Sequence, residues 1–314
     1  MREMKNEVVV EGYVYDASNL TERVTGENSK SPNTPFVNGT LEIALDDKAE
    51  QVVKVYYTYE PNKYAKSGKT NNTYKNLVRI IENPEKTFLQ CGTDALKVSI
   101  SSRLGLNDFY SNQENDFVSI QRVEGGFLRF INEFANENPE ERNKFTEDMF
   151  ITRLSINEDE EGELVDATLG GYVFDFRKAV LPVTFKVKDE KGISFFESLE
   201  PSVSNPILTS VWGRLKSTLI QTQGKVEESA FGEQNVIKGT SRSVQEWVVT
   251  GTSVQQYELG EEDVLTSEEM KKAIQDREVY LASIKTRQEE YEKTRNVQTT
   301  ATPTQEVKKG SFNF

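Results

Sequence analysis

Val52-Val53-Lys54-Val55-Tyr56-Tyr57-Thr58-Tyr59 alternates with a period of two, the pattern of a strand that rests one face on a core. Val53, Val55 and Tyr57 point one way; Lys54, Tyr56 and Thr58 point the other. The valines belong inside, which leaves Lys54 and Tyr56 outside. A loop rich in Lys, Asn, Gly and Ser follows over 60–72. Asn72 to Glu82 then reads as a short helix, with Leu77, Ile80 and Ile81 apolar and Pro84 as the stop. One helix after a third strand, in a segment otherwise made of strands, is the arrangement on which the rest of the reading turns.

Upstream, Asn6 to Asp16 is rich in β-formers, with Val8, Val10, Gly12 and Val14 on one face. Val9, Glu11, Tyr13 and Tyr15 share the other. Gly12 marks a bend of the kind that curls a small sheet. Residues 17–35 read as a polar loop, and Leu41, Ile43 and Leu45 as a second strand. Strands pairing in order would set Tyr13 and Tyr15 beside Lys54 and Tyr56. Downstream, strands are expected over Leu96 to Arg103 and Phe117 to Phe130, the latter kinked at Gly125-Gly126. A unit of this kind suggests a partly open Greek-key barrel of the OB type.

The pattern then restarts. Leu169-Gly170-Gly171-Tyr172-Val173-Phe174-Asp175 echoes Val10-Glu11-Gly12-Tyr13-Val14-Tyr15-Asp16. Strands are expected at Val180 to Val187, Ile207 to Leu215 and Ser243 to Leu259, and a helix at Ile193 to Leu199. Glu158-Asp159-Glu160-Glu161 suits a solvated hairpin tip. Thr266-Ser267-Glu268-Glu269 is a capping box that opens a helix with an apolar stripe. The expected fold is therefore mainly β (β+α), with two OB-like Greek-key barrels, short helices, a C-terminal helix and a disordered tail. The barrels occupy 1–131 and 147–262, with a linker at 132–146. The helix, 263–295, packs on the second barrel, and the tail is 296–314.

Composition narrows the chemistry. The 314 residues contain no histidine and one cysteine. Ser-His-Asp and Cys-His catalysis, His-containing zinc sites and an internal disulfide are excluded. A lone Cys91, expected to be a small buried hydrophobe, fits a reducing cytoplasm. No apolar run reaches the roughly 18 residues of a membrane span. No cofactor, metal site or catalytic residue is expected. The net charge of −13 argues against coating duplex DNA over the whole surface, but not against one confined basic groove.

Such a groove is suggested where cations and rings interleave, because a single strand offers phosphates for charge and unstacked bases for flat rings. The first unit contributes Tyr13, Tyr15, Lys54, Tyr56, Lys63, Tyr64, Lys66, Lys69, Tyr74 and Lys75. The second contributes Trp212, Arg214 and Lys216, on one face of their strand. The competing reading of Trp212 places it under the C-terminal helix.

Asn6-Glu7-Val8-Val9-Val10-Glu11-Gly12 resembles the first barrel strand of the single-stranded DNA-binding proteins, in particular those of bacteriophages of Gram-positive hosts. Val211-Trp212-Gly213-Arg214-Leu215 resembles their aromatic-plus-cation third strand. The resemblance implies an OB-fold, stacking aromatics on the strands and phosphate-binding lysines in the loops. It also implies a C-terminal tip that recruits replication or recombination proteins. Phe312 and Phe314 are the candidates for that tip, although Lys308 and Lys309 stand where the family is acidic. A homo-oligomer is allowed, with fewer subunits than the one-barrel type needs.

The expected role is a non-enzymatic, sequence-tolerant coat on single-stranded DNA in the cytoplasm, during phage replication or recombination. Two other readings stay open: a virion structural or assembly protein, and a magnesium-dependent nuclease or annealing factor.

Overall fold

The computed structural model describes residues 4–64, 67–221, 225–227, 235–237, 241–254, 257 and 266–300. The first half contains β1 (Asn6–Asp16), β2 (Thr21–Val24), β3 (Pro35–Ala44), β4 (Val52–Pro61), α1 (Asn72–Glu82), α2 (Phe88–Cys91), β5 (Lys97–Ser102), β6 (Leu104–Ser111), β7 (Asp116–Glu124) and β8 (Phe127–Phe130). β1 runs antiparallel to β3, and β3 to β4. β4 lies parallel to β7 at Val55↔Val123. β5–β6 and β7–β8 form one long hairpin, and β5 returns to β1 to close the ring. The hairpin bends at Gly125 and Gly126, whose φ values of 60° and 119° suit glycine. α1 follows β4 because the Asn71 side chain caps it, accepting from the Thr73 and Tyr74 amides, while Leu77 and Ile80 are buried.

The second half repeats the circuit with β9 (Asn143–Glu158), β10 (Leu164–Phe174), β11 (Val180–Val187), α3 (Glu190–Ser198), β12 (Ile207–Gln221), the short β13 (Lys225–Glu227) and β14 (Asn235–Ile237), and β15 (Ser241–Thr252). β9 pairs β10, and β10 pairs β11. β11 lies parallel to β15, β15 pairs β12, and β12 returns to β9. As α1 follows β4 in the first half, α3 follows β11 in the second. The fold is thus mainly β, with two OB-like barrels. They meet edge to edge where β1 pairs β9 from Asn6↔Glu147 to Val10↔Asn143, and one apolar cluster runs from Val8 and Leu41 through Phe145 and Phe185 to Trp247.

α4 (Ser267–Thr300) opens at the expected capping box, with Thr266 Oγ1 accepting from the Glu269 amide at 3.2 Å. Its first turns set Met270, Ala273 and Ile274 against Phe150, Phe174, Val180 and Leu208. Further on it leaves the second barrel. Arg277 bonds Asp108 at 2.7 Å and Lys285 bonds the Tyr110 hydroxyl at 3.1 Å, both on β6. The helix therefore straps the two barrels together instead of packing on the second alone, and it reaches Thr300, beyond the expected 295. None of the described helices is long and apolar enough to cross a membrane.

Several local readings change. The loop at 17–35 contains β2, which pairs with an early extension of β3. The second circuit starts at Asn143, inside the expected linker. The Val10–Asp16 and Leu169–Asp175 echo joins strands that are not equivalent, since β1 opens its circuit whereas β10 is second in its own. What the two segments share is a glycine pressed on a neighbouring backbone. A Cβ on Gly12 would come within 2.3 Å of the Ala44 carbonyl oxygen, and one on Gly171 within 1.9 Å of the Phe150 oxygen.

Candidate nucleic-acid interface

Three segments of the first barrel converge at one rim: the β2–β3 hairpin, the loop after β4 and the first turn of α1. The Asn62 amide bonds the Pro35 carbonyl at 2.9 Å, and the Tyr74 hydroxyl donates to Glu22. Lys63, Tyr64, Lys69 and Lys75 are exposed here, and the Tyr64 amide bonds the Lys69 carbonyl at 2.9 Å. None of these lysines is paired with a described carboxylate. Tyr59, 45% exposed, lies against Phe36 with ring centroids 4.9 Å apart. Arg23, exposed on β2, sits opposite Phe36 in register. Arg23, Phe36 and Tyr59 were not among the expected site residues. The signal for them was legible only once β2 was recognised as a strand.

Two acids of this rim are engaged, while Glu27 in the β2–β3 hairpin is exposed. Glu22 accepts from Tyr74, whose hydroxyl is pushed up to about 12, first by burial and then by that bond. Glu60 is held by the Asn71 carboxamide, and burial raises its carboxyl above the usual range despite that bond. Exposed Arg23, Lys63, Lys69 and Lys75 outnumber exposed Glu22 and Glu27 here, in a chain whose net charge is −13.

The strand rows behave differently. Alternation holds as expected on β12, with Val211, Gly213 and Leu215 buried and Trp212, Arg214 and Lys216 half-buried. The indole of Trp212 lies on the backbone of Gly251, where an added Cβ would meet its Nε1 at 2.4 Å. Every cation of these rows is already engaged. Lys54 pairs Glu42 at 3.0 Å, Lys216 pairs Glu140 at 2.7 Å, and Arg214 donates to the Asn143 carbonyl at 2.7 Å. Glu140 is held below the usual carboxylate range, chiefly by its bond from Lys216. Arg122 covers the Tyr56 ring at 5.4 Å and pairs Glu124 at 2.8 Å. The β4 and β12 rows approach at one end only, where the Ser217 amide donates to Gln51 at 2.8 Å. Among the described residues no ring contact joins Tyr56 to Trp212.

Tyr13 does not lie outside beside Lys54. It is 5% exposed, packed edge-on to Phe134 at 5.0 Å and against Phe88 at 5.6 Å, with its hydroxyl donating to Asp47 at 3.0 Å. The reason is that the chain after α1 folds back over this part of β1 and builds a small second core there. Tyr15 is half-buried against Phe88. Cys91 is half-buried at the same place rather than in the interior. Lys66, Phe312 and Phe314 lie outside the described residues. The expected sites thus fall into an open rim, a paired set of rows and one buried ring, not one continuous trough. Among the described residues no group of three or more His, Cys, Asp or Glu side chains is placed to hold a metal ion.

No curated protein matches the chain in sequence. Among solved structures it is similar to a deletion mutant of the single-stranded DNA binding protein from Thermus aquaticus, at 11% identity and a TM-score of 0.44, over 83% of this chain and 100% of that one. A family model described as YorF matches residues 5–288, and the chain belongs to the YorF family.

Proposed function

We propose that this chain binds single-stranded DNA without sequence preference, and that the rim of the first barrel is where the strand first lands. The observation that carries this reading is the set of cations Lys63, Lys69 and Lys75, unpaired with any described carboxylate, beside the exposed rings of Tyr59 and Tyr64. Free cations meet phosphates and release counterions. Open rings accept unstacked bases, each contributing about 1–3 kcal/mol whatever its identity. A duplex offers the same charge but no free base faces, so it should bind less well.

The half-buried rows on β4 and β12 would play a lesser part. A strand reaching Lys54 or Lys216 must displace Glu42 or Glu140, which cancels most of the gain. Binding is the whole activity in this reading, and no bond is made or broken. A coating role in phage replication or recombination, in the host cytoplasm, fits the resemblance of the strand motifs. Recruitment of other replication proteins through the terminal Phe312 and Phe314, and self-association, extend the same proposal.

Fluorescence anisotropy with labelled oligo-dT, a matched duplex and RNA tests it. Oligo-dT should bind best at low salt, and should be recovered intact. The double change Lys63→Glu, Lys69→Glu should weaken binding far more than Glu158→Ala on the second barrel. Absence of binding at low salt, or equal losses from the two variants, would overturn the proposal.

A further inference from the structure

A second basic and aromatic site lies at the junction of the two barrels and α4. It is a groove of about 680 Å³ between β6, the β10–β11 turn and the first half of α4. At its edge stands Phe176, 66% exposed and outside every apolar cluster of the described residues. Two guanidiniums lie over this ring: Arg103 at 4.9 Å from its centroid and Arg177 at 5.0 Å. A phenylalanine this open loses hydrophobic free energy, and nothing in the core needs it there.

The turn that carries Phe176 is rigid. The Asp175 carboxylate accepts the Arg177 and Ala179 amides, each at 2.8 Å, and Lys178 adopts φ 64°. Phe176 and Arg177 are therefore displayed, not loose. Lys178 and Lys272 line the same groove, and neither is paired with a described carboxylate within salt-bridge distance. Its acids are mostly occupied. Asp108 is held by Arg277 at 2.7 Å, Glu124 by Arg122 at 2.8 Å, Asp175 by its turn, and Glu269 by the Thr266 cap. Asp276 lines the groove as an exposed acid.

Arg103 and Glu124 line the groove on the first barrel's side. The Glu60 carboxylate at the root of the 61–70 loop feels the charge of Arg103, and Arg103 also touches Phe176. The Gly125 amide bonds the Tyr56 carbonyl at 2.7 Å, tying β4 to the edge that leads into the groove. We infer that this groove is a second subsite for the same single strand, with the exposed part of the Phe176 ring stacking a base beside Arg103 and Arg177 while Lys178 and Lys272 meet the flanking phosphates. The inference rests on the single-strand binding proposed above and adds a path from the first barrel to the second.

Strand length separates the two sites, because one barrel covers about 4–16 nucleotides. Anisotropy on the full chain would compare oligo-dT of about 8 and about 30 nucleotides. Phe176→Ala should weaken the longer strand about tenfold and leave the shorter one unchanged, while Lys63→Glu with Lys69→Glu weakens both. Lys272→Glu, on an exposed helix face, should repeat the length-dependent loss. Phe176→Trp should be quenched by the longer strand only. If the Phe176 and Lys272 variants bind both lengths like the unchanged protein, and the tryptophan is silent, the groove is unused while the rim proposal survives. Equal losses at both lengths would make Phe176 part of the rim and remove the second subsite. No binding of either length by the unchanged protein would remove both.

Discussion

Replacing Glu147 by glutamine should stabilise the folded chain at neutral pH and leave it unchanged in acid. Glu147 lies on β9 between Phe145 and Met149, fully buried, and neither of its carboxyl oxygens has a hydrogen-bond partner. Burial first, then the charges of Asp148 and Glu7, pushes this carboxyl well above the usual range. The folded chain therefore keeps a proton that the unfolded chain releases near 4.5. Below that pH both states hold the proton, and no cost arises. Above it, stability falls by about 1.4 kcal/mol per pH unit, until the raised folded value is passed. Glutamine has the same shape and no proton to lose, and it trades one unpaired polar group for another at about 1 kcal/mol either way. Urea unfolding at pH 5, 6 and 7, followed by the fluorescence of buried Trp247, would measure the difference. The two proteins should diverge as pH rises above the unfolded value, with the variant the more stable at pH 7. Parallel pH curves, or a variant weaker at pH 7, would refute the reasoning.

Arg277→Ala should cost about 3 kcal/mol, because it strips the cation from Asp108, whose side chain is 6% exposed, and leaves it only the Ser119 hydroxyl. The same change should free α4 from the first barrel, seen as faster proteolysis within 277–293. Gly171→Ala would drive a Cβ to within 1.9 Å of the Phe150 carbonyl, and should lower the urea midpoint by an amount equivalent to 2 kcal/mol or more, an order-of-magnitude figure. Removing Lys63 and Lys69 together should flatten the plot of log K against log salt by about 1.4, two phosphate contacts' worth for a single strand. Lys216→Ala should change affinity about twofold or less, since its charge is already spent on Glu140; a tenfold loss would place the β12 row at the centre of the interface.

The strands and helices were readable because their signals are local. Val53, Val55 and Tyr57 alternate, and all are buried. Asn71 and Pro84 bracket α1 from outside, and Thr266 with Glu269 opens α4. Short elements without such patterns were lost. β2 is exposed along its length, Thr21–Val24, so it carries no apolar alternation. The Phe176-Arg177-Lys178 run was in plain view, but as a turn it has no periodicity to flag it, and its worth depends on Arg103, far away in the chain.

The sequence by itself determined that the chain builds small barrels with short helices among their strands, and that an acidic molecule carries a basic, tyrosine-rich segment. Periodicity, caps and charge are properties of near neighbours in the chain, so they survive without coordinates. Only the tertiary structure decided which of those charges remain free. Lys54 and Lys63 are equivalent on paper, yet one is bound to Glu42 across a strand pair and the other stands open. Tyr13 and Tyr59 are both strand tyrosines, yet Phe88 and Phe134 bury the first, while the second packs on Phe36 and stays 45% exposed. Pairing and burial are set by residues distant in sequence, and those contacts exist only once both barrels have closed.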